Sequence, residues 1–84
     1  MATYKSMIRK GAYYLTRAVN ASTEEAREVN FCKADAFCEG MSMALDLDDC
    51  AIWEDMKRKA EETRLESVKQ GDTRAQARWD RFWK

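Results

Sequence analysis

Histidine and proline are absent from this chain, glycine occurs three times in 84 residues, and the formal net charge is zero. Without histidine, no side chain has an ordinary pKa near neutrality for general acid–base work. The phosphate loop, the dinucleotide fingerprint and the nucleophile elbow are missing too. No catalytic residue and no cofactor is therefore assigned, and a non-enzymatic protein is expected. Proline and glycine are the main helix breakers, so their scarcity favours helix over strand. No run approaches the 18 or more apolar residues of a membrane span. In "MATYKSMIRKGAYYLT", charges interrupt the chain before the apolar stretch of a secretory signal can form. Cysteines number three, an odd count that reads as reduced thiols in the cytoplasm.

What is present is foldable. Apolar residues make up 45% of the chain and charged residues 36%, which is not the composition of disorder. The length allows one domain, 1–84, with a thin core. Apolar residues at three-and-four spacing predict a first helix from about Thr3 to Val19, in which Gly11 either weakens the helix or permits a close crossing. "STEEAREV" predicts a second helix from Thr23 to about Leu45, opened by a reciprocal capping box of Ser22 and Glu25. This helix carries apolar residues on two sides: Ala26, Val29, Phe37, Gly40 and Ala44 on one, Phe31, Ala34, Cys38, Met41 and Leu45 on the other. That pattern predicts a central element with neighbours on both sides.

A break at Leu47–Asp49 precedes a third helix from about Cys50 to Gln70. Beyond Lys57 this helix is mostly charged and is expected to project into solvent or toward a partner, with Glu54–Arg58 and Asp55–Lys59 as helix-stabilising pairs. Gly71 suits a helix C-terminus. Thr73 and Gln76 fit a second capping box before a short last helix bearing Ala75, Trp79, Phe82 and Trp83 on one face. The expected fold is all-α: a small bundle of three long helices plus a short C-terminal helix.

Charge is unevenly spread. Residues 1–20 carry Lys5, Arg9, Lys10 and Arg17 and no acid, whereas Ala34 to Met56 hold Asp35, Glu39, Asp46, Asp48, Asp49, Glu54 and Asp55 and no base. A calcium loop counted from Asp46 would need oxygen ligands at its fifth and twelfth positions and glycine at its sixth; those places hold Cys50, Lys57 and Ala51. No metal is assigned. Asp48 or Asp49 can cap the third helix, contributing about 1 kcal/mol. The remaining acids form either an ordinary solvated face or a negative surface for a partner. Cys32, Cys38 and Cys50 lack the spacing and companions of a zinc cage and read as small buried apolar groups rather than redox centres.

The tail "RAQARWDRFWK" combines arginine with aromatics, the residues favoured at binding hot spots and on single-stranded nucleic acid. Trp79, Phe82, Trp83, Arg78 and Arg81 form a second candidate interface, and three tryptophans exceed what so small a core needs.

In size and charge pattern the chain resembles the small all-helical accessory proteins of bacteriophages. Some of these, certain anti-CRISPR proteins among them, imitate DNA in charge and block basic channels. The resemblance carries over no residue. It agrees with the first expectation from the residues: a protein that binds and inhibits a larger protein with a basic surface, such as a nucleic-acid-handling or defence complex. The contact would run through Asp35, Glu39, Asp46, Asp48, Asp49, Glu54 and Asp55. Two alternatives compete. One is a nucleic-acid-binding regulator, dimeric, using Arg74, Arg78, Arg81, Lys84 and the basic first helix. The other is an assembly component that self-associates through the tail. A membrane partner is not expected, because packing explains the first helix's apolar stripe.

Overall fold

The computed structural model describes residues 3–72 and 74–83. Over these the chain forms four helices: α1 (Tyr4–Val19), α2 (Glu24–Leu45), α3 (Asp49–Lys69) and α4 (Ala75–Phe82). The protein is a small all-α bundle of three long helices with a short C-terminal one, and no strand occurs among the described residues.

Local chemistry sets the helix ends. Thr3 and Ser6 form a reciprocal box at the start of α1: each side-chain oxygen accepts the other residue's backbone N–H, at 3.1 and 3.0 Å. At α2 the cap is Thr23, whose hydroxyl accepts the Ala26 N–H at 3.1 Å. The expected Ser22–Glu25 box is thus displaced by one residue. Thr23 holds the extended backbone of a cap, so the third helical residue is Ala26, whose methyl group cannot accept a hydrogen bond from the cap N–H.

At the other end of α2, Asp46 adopts the left-handed conformation (φ 53°). The Ser42 carbonyl then accepts both the Asp46 and the Leu47 N–H, and the Ser42 hydroxyl donates to the Leu47 carbonyl at 2.6 Å. Asp48 caps α3 by accepting the Cys50 N–H at 2.9 Å. Gly71 ends the α3 region at φ 97°, where the Gly71 and Asp72 N–H groups return to the Val68 and Ser67 carbonyls, a Schellman motif. The expected Thr73–Gln76 box falls on Thr73, outside the described residues. Gln76 instead accepts from Arg64 and donates to Asp80.

The shared core is Ile8, Ala12 and Leu15 from α1, Ala34, Cys38 and Met41 from α2, and Ile52, Met56 and Ala60 from α3. Leu15, Ile52 and Met56 are fully buried, each worth about 1.5–3 kcal/mol. Gly11 lies against the Met56 side chain, which is the close crossing its missing Cβ allows.

The expectation that α2 is central is not met. It buries a single stripe, Asn30, Ala34, Cys38 and Met41, while Val29, Gly40, Met43 and Ala44 are exposed. The central elements are α1 and α3, each of which packs on the other three helices, because α4 folds back over them.

That fold-back also corrects the reading of α3 beyond Lys57. Ala60 is buried, and the Arg64 guanidinium lies 5.7 Å from the centre of the Trp79 ring. The ion pairs differ from those expected: Asp55 meets Arg58 at 2.9 Å and Lys59 meets Glu62 at 3.0 Å. Both are exposed i,i+3 pairs of small energetic weight.

The tail aromatics complete a row that crosses three helices. Trp53 meets Phe31 at 5.4 Å between ring centres, Phe31 meets Phe82 at 5.8 Å, Phe82 meets Trp83 at 4.8 Å, and Trp83 meets Trp79 at 5.5 Å. Lys57 sits over Trp83 at 4.6 Å. Tilted and edge-on contacts of this kind add to simple area burial.

Candidate protein-binding groove

Between the C-terminal half of α2 and the first turns of α3 runs an open groove lined by Asp35, Cys38, Glu39, Asp49, Cys50, Trp53 and Glu54. Helical spacing places these groups together. Asp35 and Glu39 are four apart on α2; Asp49 and Trp53, and Cys50 and Glu54, are four apart on α3. The tight turn at Asp46–Asp48 then brings the two faces side by side. Four carboxylates result, with no cationic side chain among the lining residues and none of the four in an ion pair among the described residues.

The field of these acids is felt by the thiols. Burial raises the Cys38 thiol pKa first, and the charges of Asp49, Asp35 and Glu39 raise it further. Its Sγ donates to the Asp49 carbonyl at 3.3 Å, tying α2 to the start of α3. Cys50 is exposed, yet its pKa is also raised, chiefly by the charges of Asp48 and Asp49. The reading of three buried cysteines holds for Cys38 only, because Cys32 and Cys50 lie on faces that no helix covers.

Seven acids were singled out in the sequence, and the structure brings four of them around the groove. Asp48 is adjacent but engaged as a helix cap. Asp46 occupies the left-handed turn. Asp55 points elsewhere: it accepts from the Tyr4 hydroxyl and pairs with Arg58. That hydrogen bond is the main reason the Tyr4 pKa is raised. Asp48, Asp49 and Cys50 offer three ligand atoms within 4.8 Å of one another. All three residues are consecutive and exposed, an arrangement common on acidic surfaces without an ion.

Sequence reasoning missed Trp53 and Cys38 as the wall and floor of the groove. The four-residue interval from Asp49 to Trp53 was the available signal.

A second concavity lies at the opposite end of α2. It is lined by Asn20, Ala21, Ser22, Arg27, Arg74, Ala77, Arg78 and Arg81, with no acid among them. Between α1, α3 and α4 a small cavity of about 20 Å³ remains, room for a single water.

No helix among the described residues is long and apolar enough to cross a membrane. No protein-family model, no curated protein and no solved structure matches the chain.

Proposed function

We propose that this protein acts without catalysis, binding a larger protein through the α2–α3 groove and inhibiting it. One observation carries the reading: Asp35, Glu39, Asp49 and Glu54 surround Trp53 in a groove whose lining holds no countercharge. Such a surface takes lysine or arginine side chains. The carboxylates meet the charge, and the indole face of Trp53 offers a cation–π contact to the same group. Acids spaced on two rigid helices reproduce a short row of phosphates, so the fitting targets are basic channels of nucleic-acid-handling or defence complexes. The size and charge pattern of phage accessory proteins agree with this. The setting is the cytoplasm, where exposed Cys32 and Cys50 stay reduced.

The test reverses the three groove acids that lie outside the first turn of a helix, Asp35→Lys, Glu39→Lys and Glu54→Lys together. Wild type, immobilised in extract of the host cell, is expected to retain a basic partner that elutes with salt. The triple variant should lose it while its circular dichroism stays helical. Capture of the same partner by the triple variant would reject the proposal.

A further inference from the structure

The end of the molecule opposite the acidic groove carries its own recognition chemistry. Four guanidinium groups from separate parts of the chain line one concavity: Arg27 from α2, Arg74 at the start of α4, and Arg78 and Arg81 within it. Arg78 is held in place, its Nε donating to the Asn20 Oδ1 at 2.8 Å and an Nη donating to Asp72. Arg27, Arg74 and Arg81 form no ion pair among the described residues.

Asp72 answers the charge of Arg78, which leaves Arg27, Arg74 and Arg81 around the hollow with repulsions that an entering anion would relieve. Arginine forks match the paired oxygens of a phosphate. Arg27 also lines an adjoining apolar notch with Glu28, Phe31, Cys32 and Phe82. Phe31 is 38% exposed, so part of its ring is open to a ligand.

We infer that this composite surface binds a single-stranded nucleic acid. Phosphates sit among Arg27, Arg74 and Arg81, and an unpaired base stacks in the notch on Phe31 and Phe82. Glu28 lines the same notch, where its carboxylate can accept from a base N–H such as the N3–H of thymine or uracil. Two features select this occupant. An aromatic notch beside a basic hollow serves an unstacked base and its phosphate, whereas a duplex hides its base faces. The acidic groove of a second copy is itself concave and does not enter another concavity.

Fluorescence anisotropy with end-labelled decathymidylate and decauridylate, at about 50 mM salt, tests this. Saturable micromolar binding is expected, weakening steeply with salt. Arg27→Ala combined with Arg81→Ala should weaken it by about tenfold or more and flatten the salt dependence. Phe31→Leu should weaken it by about fivefold or more without changing the salt dependence, since stacking is lost while charge stays. The acidic-groove triple variant should bind at least as well as wild type, which separates this surface from the protein-binding one. Absence of binding at 100 µM protein, or equal binding by the arginine pair variant, overturns the inference. So does tripolyphosphate competing as well as the oligonucleotide with Phe31→Leu having no effect, because the surface would then bind any polyanion. Self-association that the groove triple variant abolishes would likewise overturn it, since the occupant would then be a second copy.

Discussion

A methyl group added to Gly11 of α1 would stand 2.8 Å from the sulfur and terminal carbon of Met56 in α3. Met56 is fully buried, so the flexible end of its side chain can move aside only against other core atoms. Gly11→Ala should gain about 1 kcal/mol in helix propensity and lose about 1–3 kcal/mol to overpacking. A net loss of stability is expected, read as a lower urea midpoint. Adding Met56→Ala should cost less in the Gly11→Ala background than alone, because the clash and the cavity offset each other. A stabilised single variant would contradict the packing.

Thr23, not Ser22, caps α2. Thr23→Ala should lower stability by about 1 kcal/mol through loss of the bond to the Ala26 N–H. Ser22→Ala should change it by less than about 0.5 kcal/mol, as befits a surface site. Chemical denaturation of both variants decides which residue is the cap.

Asp46 is the one described non-glycine residue with positive φ. It also places a carboxylate at a helix C-terminus, where the dipole opposes negative charge. Asp46→Gly should raise stability by roughly 1 kcal/mol by removing both penalties. Asp46→Asn, which tolerates the conformation and drops the charge, should fall between. Thermal melts ordered otherwise would point to a different turn.

Asp72 has its carboxyl pKa lowered by the hydrogen bond from Arg78. A folded-state carboxylate that resists protonation adds stability above the unfolded pKa of about 4, and that stability is lost as pH falls through the lower folded value. Wild type should therefore exceed Asp72→Asn in urea midpoint at neutral pH, and the gap should close as acid protonates the folded-state carboxylate. A gap that is constant with pH would mean that the ionised contact is not the source.

The thiols should react in the order Cys32, Cys50, Cys38. Cys32 and Cys50 are both exposed, but Asp48 and Asp49 disfavour the Cys50 thiolate. Cys38 is buried and also raised in pKa. Timed alkylation with iodoacetamide at pH 8, followed by peptide mass spectrometry, reads the order. Asp49→Asn should speed Cys50 through loss of charge, since thiolate is the reacting form.

Much of the secondary structure is readable from residue order because helix formation depends on neighbours within four positions. The α1 stripe, the break before Asp48 and the stop at Gly71 are such local facts. The one-residue error at Ser22 is local as well: two adjacent hydroxyls compete for the cap, and backbone geometry chooses between them. The centre of the bundle was not readable in the same way. Apolar residues on two sides of α2 look like two buried faces, yet Val29 and Met43 end in solvent because α4 lies mainly on α1 and α3 and reaches α2 through the Phe82–Phe31 contact.

The same division holds for the candidate surfaces. Sequence alone determined that these residues make helices, that acids crowd the middle of the chain, and that Arg74, Arg78 and Arg81 share the tail with aromatics. Tertiary structure decided that Asp35 and Glu39 meet Asp49 and Glu54 across a groove, that Asp55 turns away to Tyr4 and Arg58, and that Arg27 joins the arginines of α4. Short-range spacing specifies which side of a helix a charge occupies. Which charges face one another depends on how the helices cross, and that is settled by burial of Leu15, Ile52 and Met56 and by the absent side chain of Gly11.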